Sequence, residues 1–220
     1  MSLFHDVDRY LERLVVGSDP VLEEVLRESE RHGLPAHQVS PLQGRLLEVL
    51  ARLRGARTIL EIGTLGGYSA ICLARALPPD GRLVTLESEQ RCVEVARSNV
   101  ERAGFGAVVD IRLGPATDTL PQLGARDGVP FDLVFIDGNK DQSDRYLEWA
   151  LRLGHPGTLI VTDNVVRKDA VTDPESTDPA VLGVRRLLQA GAANPRLSFA
   201  AFQIVGAKKH DGLAIATIVD

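Results

Sequence analysis

Over the first 54 residues apolar positions recur every three or four places; beyond them they come in short unbroken runs. The first rhythm is helical and predicts amphipathic helices over 3–16, 20–32 and 41–54. Asp19-Pro20 opens the second, and "GLPAHQVSP" is a loop before the third. In the third helix Leu42, Leu46, Leu47, Leu50 and Leu53 fall on one face. The later runs read as strands: "TILEIG", "RLVTLES", "VVDIRLG", "FDLVFIDG" and "GTLIVTDN". Helices are predicted between and after them, over 68–77, 90–104, 116–123, 141–153 and 179–191, with Gly104 as a C-terminal stop. "LSFAAFQIVG" and "GLAIATIVD" close the chain as an antiparallel hairpin joined by "AKKHDG".

Short apolar strands alternating with helices indicate a parallel sheet covered on both faces. Right-handed crossovers leave few topologies. The expected fold is α/β: a doubly wound, Rossmann-like, mostly parallel seven-stranded sheet with a C-terminal antiparallel hairpin and an N-terminal helical cap. No repeat and no low-complexity linker divides the chain. One domain over 1–220 is expected, with 1–55 as cap or dimerisation segment and 56–220 as core.

Composition narrows the function classes. With 44% apolar residues, 25% charged residues and a net charge of −5, the chain reads as globular, and non-specific nucleic-acid binding is disfavoured. "MSLFHDVDRYLERLVV" is interrupted by acids and arginines, so it is neither a secretory signal nor a membrane span; the expected location is the cytoplasm. Cys72 and Cys92 form no CxxC pair and read as buried thiols. No HxxxH or HExxH occurs, which argues against a histidine-rich zinc site. The first helix carries Leu3, Phe4, Val7, Leu11 and Leu14 at spacings suited to one buried face that the doubly wound core does not need. A homodimer packed across that face is expected; the alternative is a cap folded onto its own subunit.

The chemistry gathers where strands end. In doubly wound sheets ligands bind beyond the carboxyl ends of the strands, at the switch in strand order. The first strand runs into Gly63, Gly66 and Gly67, which let a ligand approach the backbone. The spacing is GxxGG, not GxGxxG, and Glu61 just before it would repel a pyrophosphate and suit a cationic ligand. Glu87 ends the second strand, 24 residues after Gly63, where an acid can accept hydrogen bonds from ribose hydroxyls. The "LGPAT" turn after the third strand could face a flat base. Asp137 ends the fourth strand and Asp163-Asn164 end its neighbour, about 4.8 Å away. Two carboxylates and an amide carbonyl make an all-oxygen set suited to Mg²⁺, Mn²⁺ or Ca²⁺. Taken alone, Asp163-Asn164 would be a strand-to-loop turn and Lys140 a solvated turn lysine; beside Asp137 both gain a chemical reading.

"ILEIGTLGGYSAICLARAL" with "GRLVTLE" resembles the S-adenosylmethionine-binding half of class I methyltransferases. "FDLVFIDGNKDQSDRY" and "GTLIVTDNV" narrow the resemblance to metal-dependent O-methyltransferases of the catechol and caffeoyl-coenzyme A type, including small bacterial relatives. It covers roughly residues 35–220 and is strongest over 58–166. The resemblance implies S-adenosylmethionine as cofactor, with Glu61, Gly63 and Ser69 at its methionine portion and Gly67 and Tyr68 beside them. It implies Glu87 at the ribose, Ala116 and Thr117 bordering the adenine, and Val39 lining the pocket. Asp137, Asp163 and Asn164 would bind the divalent cation, Asp137 also lying near the cofactor's amino group, and Lys140 would be the general base. The implied acceptor is a small phenol with ortho hydroxyls, and a homodimer is implied again.

The chain departs from that pattern in places. It has no clear match for the glutamate that holds the second catechol hydroxyl in the animal enzymes, and "AKKHDG" replaces a proline-containing segment. Asp173, Glu175 and Asp178, in the loop over 167–179, read as solvated. Other classes fit less well. A nicotinamide dehydrogenase fails on the glycine spacing and on Glu61. An amino-methylating enzyme would end the fourth strand in an Asn/Asp-Pro-Pro-aromatic motif, not Ile-Asp-Gly-Asn. A non-catalytic cofactor-binding protein would not need Asp137, Lys140, Asp163 and Asn164 together. Methylation of a small molecule other than a catechol remains the nearest alternative.

Overall fold

A computed structural model describes residues 3–126, 130–206 and 209–220. Three helices come first: α1 (Leu3–Val15), α2 (Pro20–Arg31) and α3 (Pro41–Arg54). The chain then alternates through β1 (Thr58–Ile62), α4 (Tyr68–Ala74), β2 (Arg82–Glu87), α5 (Gln90–Arg102), β3 (Val109–Leu113), α6 (Ala116–Arg126) and β4 (Phe131–Ile136). It continues through α7 (Ser143–Leu153), β5 (Gly154–Asp163), α8 (Pro179–Ala193), β6 (Leu197–Gly206) and β7 (Lys209–Ile218). Single 3₁₀ turns occupy Lys140–Gln142 and Ala170–Thr172.

The strands form one sheet in the order β3-β2-β1-β4-β5-β7-β6, parallel from β3 to β5, with β7 antiparallel to both neighbours. This is the expected doubly wound topology, and the order reverses between β1 and β4. Strand alternation supplies both cores. Ile59, Leu83, Leu133, Phe135 and Val161 face α3, α4 and α5, whereas Leu60, Ile62, Val84, Val134, Ile136 and Ile160 face α6, α7 and α8. In register, Ile62 pairs with both Leu86 and Ile136, and Ile136 pairs with Thr162. Gly63, Glu87, Asp137 and Asp163 are therefore the next residues along one edge. No helix among the described residues is long and apolar enough to cross a membrane. Cys72 and Cys92 are buried thiols, and desolvation pushes their pKa values up to about 12 and about 11.

Several boundaries and one face differ from the sequence expectation. β7 begins at Lys209, so "AKKHDG" is not all turn: Gly206 pairs with Lys209, and the connecting residues 207–208 lie outside the described residues. β5 begins at Gly154 rather than 157, opposite a register irregularity between Phe131 and Leu133. α6 continues past Leu123 despite Pro121 within it. In α3 the buried positions are Gly44, Leu47, Glu48 and Ala51, while Leu53 is 79% exposed. The helix is turned by close packing on α4: a Cβ at Gly44 would lie 2.8 Å from Cys72 Sγ and 3.1 Å from the Tyr68 ring. Glu48 is held on that inner side by Arg45 and Arg52, at 2.8 and 3.0 Å.

The cap is fastened to the core by Asp19. Its Oδ1 accepts from Leu22 N at 3.1 Å, capping α2, and from Arg75 Nη2 of the α4 C-terminus at 3.0 Å. The Arg75 hydrogen bond is the chief cause holding the Asp19 pKa below its ordinary value, against the opposing effect of burial. A carboxyl with a lowered folded pKa contributes stability above its unfolded pKa, near 3.9, and loses that contribution as pH falls through the folded value. Asp19→Asn keeps a capping oxygen but loses the ion pair. It should cost about 1 kcal/mol at pH 7, and the gap to wild type should close below about pH 4. Urea melts at the two pH values check this; an unchanged gap at pH 3 would show that charge is not what fastens the cap.

Candidate active site

Glu61 sits fully buried on central strand β1. Its Oε2 accepts from the Thr85 hydroxyl of β2 at 2.6 Å, while Oε1 has no hydrogen-bond partner. Desolvation pushes its pKa up to about 8, opposed by the Ser69 and Thr85 hydroxyls. A buried carboxylate with an unused oxygen is costly by itself and fits a ligand that brings a positive charge. The turn beyond β1 is shaped for close approach. Gly63 has φ +101°, and a Cβ there would lie 2.7 Å from the Asp137 carbonyl oxygen; Gly67 has φ +86° and opens α4.

Glu87 braces this turn. Its Oε2 accepts from Leu65 N at 2.8 Å and Thr64 N at 3.3 Å, and its Oε1 from Glu89 N at 3.0 Å. One acceptor direction on Oε1 remains, enough to receive a hydroxyl. The sequence predicted only the ribose contact; the bracing was missed because a strand-end acid carries no mark of which backbone it will bind. Ala116 and Thr117 open α6 beyond Gly114, whose N–H bonds the Glu87 carbonyl at 2.8 Å, so they lie at the next strand end. Ser69 is buried at the start of α4. Val39 and Tyr68 are buried in the core below the cap. The Tyr68 ring reaches Gly44 and lines a cavity of about 550 Å³ beside Asp19, Leu22 and Leu26.

At the ends of β4 and β5 the remaining candidates converge. Lys140 Nζ donates to Asp137 Oδ1 at 2.7 Å, with the lysine side chain only 9% exposed. Asp163 is buried; its Oδ1 accepts from Asn164 N at 2.8 Å and Gln43 Nε2 at 3.3 Å. Burial pushes the Asp163 pKa up to about 7, the Asp137 carboxylate adding to it and Lys140 opposing. Asn164 has φ +62°, a left-handed conformation that asparagine tolerates better than most residues. The set is two carboxylates and one amide; no cluster of three or more His, Cys, Asp or Glu able to hold a metal occurs among the described residues. Two mutually repelling carboxylates and a carbonyl oxygen fit a hard divalent cation, which would relieve the repulsion.

Two residues of this edge went unread in the sequence. Gln43 closes a capping box with Ser40 at the start of α3, and the same side chain reaches Asp163. The box was legible as Ser-x-x-Gln; its reach across the fold was not. Asp211 Oδ1 gathers Val166 N, Arg167 N and Gly212 N at 3.1, 3.1 and 2.9 Å, holding the loop that follows Asn164. Of the loop acids, Asp178 caps α8 through Ala180 N at 2.8 Å, and Asp173 closes a turn through Glu175 N at 3.0 Å; all three, with Glu175, are exposed.

Comparison with known proteins matches the chain over nearly its whole length. The family model described as O-methyltransferase matches residues 13–216. The chain is 46% identical to a catechol O-methyltransferase from Niastella koreensis, over 99% of this chain and 98% of that protein. A crystal structure of the O-methyltransferase from Bacillus cereus in complex with SAH superposes with a TM-score of 0.96 at 48% identity, covering 98% of each chain. An O-methyltransferase from Streptomyces achromogenes involved in tomaymycin synthesis, in complex with SAM, gives 0.96 at 45% identity over the full length of both chains.

Proposed function

The chain belongs to the O-methyltransferase family, and on that footing we propose that it transfers a methyl group from S-adenosylmethionine to one hydroxyl of a small ortho-dihydroxy aromatic, with a divalent cation, Mg²⁺ foremost, held by Asp137, Asp163 and Asn164. The observation that carries the proposal is the pairing of the Asp163 and Asp137 carboxylates beside the nearly buried Lys140 amine, next to a glycine turn backed by Glu61. Relatives named for catechol support the acceptor class.

Each residue then has a task. S-adenosylmethionine supplies a methyl group on a sulfonium, so its departure needs little help. Glu61 Oε1 receives the donor's ammonium group, and Glu87 Oε1 receives a ribose hydroxyl. Ala116 and Thr117 border the base, while Gly63 and Gly67 leave room for the chain between. A divalent cation at the Asp137, Asp163 and Asn164 oxygens supplies a lowered hydroxyl pKa and a fixed approach angle for the acceptor. Lys140 Nζ, in its neutral amine form, would receive the acceptor's proton. The loops over 35–41 and 167–179 cover the acceptor, which leaves the pocket open and selectivity modest. The reaction is assigned to the cytoplasm.

The test is a comparison of catechol-type acceptors with their mono-hydroxy analogues, at saturating cofactor and Mg²⁺, with product read as a methyl mass gain. Chelating acceptors should turn over about 10²-fold faster or more, the scale of a lost positional constraint. Equal turnover of the two would remove the chelation argument and favour a non-catechol acceptor.

The same proposal includes a homodimer through residues 1–55. Phe4, Val7, Leu11 and Leu14 of α1 are exposed, Leu14 by 66%, so nothing among the described residues buries that face. α1 packs beside α3 and β6, and β6 adds exposed Phe202 and Val205. Light scattering should give twice the chain mass at micromolar concentration, and Leu14→Asp should shift it toward the single chain. A wild-type mass of one chain would refute the dimer.

A further inference from the structure

α8 contributes no residue to the site, yet one turn of it grips both segments that flank the acceptor side. Gly183 is buried and packs against the 3₁₀ turn that begins at Lys140. A Cβ at Gly183 would come inside contact distance of the Lys140 carbonyl oxygen and lie 2.7 Å from both Cα and the carbonyl carbon of Asp141. The obstruction is backbone, which cannot swing aside as a side-chain tip can. Ser143 Oγ donates to that same Lys140 carbonyl at 2.8 Å. Arg186, three residues along α8, donates from Nη2 to the Asp141 carbonyl at 2.8 Å and from Nε to Asp144 at 2.7 Å. The lysine turn is thus seated on α8 by one missing side chain and one guanidinium.

Arg185 reaches the other way. Its Nε donates to the Val171 carbonyl at 2.9 Å, and its Nη2 to the carbonyls of Ala170, at 3.3 Å, and Asp173. Two of these carbonyls already accept a backbone N–H, Ala170 from Asp173 N at 3.3 Å and Asp173 from Ser176 N at 3.1 Å, and Arg185 fills a second acceptor direction on each. A planar fork of five donors can collect several at once, and a lysine ammonium cannot match that geometry. The segment needs such ties. It is reached through three consecutive non-glycine residues of positive φ, Arg167, Lys168 and Asp169, at 54°, 53° and 72°.

We infer that this turn of α8 is a positioning platform for the acceptor side: Gly183 sets the height of the Lys140 turn, and Arg185 sets the placement of the 170–173 segment. Neither touches a reacting atom; Gly183 acts through the segment that carries the proton acceptor, and Arg185 through the segment that covers the acceptor molecule. The inference rests on the reading of Lys140 as proton acceptor and of the 167–179 loop as acceptor cover. It goes beyond that reading in separating the two effects on one helix: Gly183 governs kcat, and Arg185 governs acceptor KM.

The experiment is steady-state kinetics on the full chain with Mg²⁺ and a catechol acceptor, rates being expressed per cofactor-binding site by titration. Gly183→Ala must move the lysine backbone by the better part of an ångström. It should lower kcat by about 10²-fold, the usual cost of a misplacement of that size. Its acceptor KM and cofactor Kd should stay within about threefold. Arg185→Gln should raise acceptor KM by about tenfold or more, with kcat within about threefold, and should alter the ratio of the two mono-O-methylated products of a substituted catechol. Arg185→Lys should not rescue it. Should Gly183→Ala fail to fold, Arg186→Gln releases the Asp141 carbonyl without added volume and should lower kcat alone, by a smaller factor. A purely structural role predicts lower melting temperatures with kcat and KM per site unchanged in every variant, and that result overturns the inference. Lys140→Met is the control that separates the two levels. Full activity there would refute the reading of the base; a dead Lys140→Met beside unaffected Gly183 and Arg186 variants would refute the platform alone.

Discussion

Asp163→Ala is expected to lower kcat/KM by about 10³-fold or more, the several kcal/mol that a charge-stabilising cation supplies, while S-adenosylmethionine affinity stays within a few-fold of wild type. The two effects separate because the two sites are built on different strands. Glu61 and the glycine turn belong to β1, and Glu87 belongs to β2, whereas Asp163 ends β5. Removing Asp163 leaves the Glu87 bonds to Leu65 and Thr64 untouched. Unfolding is not the route of the loss, because the residue ends its strand and its carboxylate is repelled by Asp137 in the folded chain. The checks are calorimetry with the cofactor and initial rates with and without EDTA. EDTA-treated wild type that keeps full activity on a competent acceptor would refute the metal assignment.

The strand ends were legible because each is an apolar run that stops on a functional residue. Once the alternation fixes a parallel sheet, right-handed crossovers place Asp137 and Asp163 on adjacent strands. The register of Ile136 with Thr162 is what that argument requires. Orientation within elements was less legible. Five leucines in α3 suggested a single face, but the helix turns toward the side where Gly44 lets it approach Cys72, leaving Leu53 in solvent. Local polarity also misled at "AKKHDG". His210 and Asp211 are paired in the hairpin ladder with Val205 and Ile204, so long-range pairing overrode a turn-like composition. Least legible were the residues that act across the fold. The Gln43 bond to Asp163 spans 120 residues, and neither Asp211 nor Gly183 carries any local mark of the segment it holds.

Lys140→Met is expected to lower kcat by about 10²–10⁴-fold, the range of a lost general base, with cofactor affinity retained. Loss of activity alone would not assign the role, because Lys140 also pairs with Asp137 at 2.7 Å and could serve as a counter-charge. The two roles predict different results for Lys140→Arg. A guanidinium keeps the positive charge and can hold the carboxylate, but it does not give up a proton at any working pH. If Lys140 takes the proton, arginine is as inactive as methionine. If it only balances charge, arginine restores most of the rate. Metal affinity supplies a second discriminant. Removing a positive charge that bonds a candidate ligand oxygen should leave Mg²⁺ binding to the methionine variant equal or tighter, since like charges repel. The pH profile supplies a third. Without an internal base the rate should climb with pH until the acceptor hydroxyl, lowered by the cation below the phenolic range near 10, ionises to solvent. Near-wild-type activity of Lys140→Arg at neutral pH would overturn the proton-acceptor role, leaving Lys140 as the charge that keeps Asp137 in place.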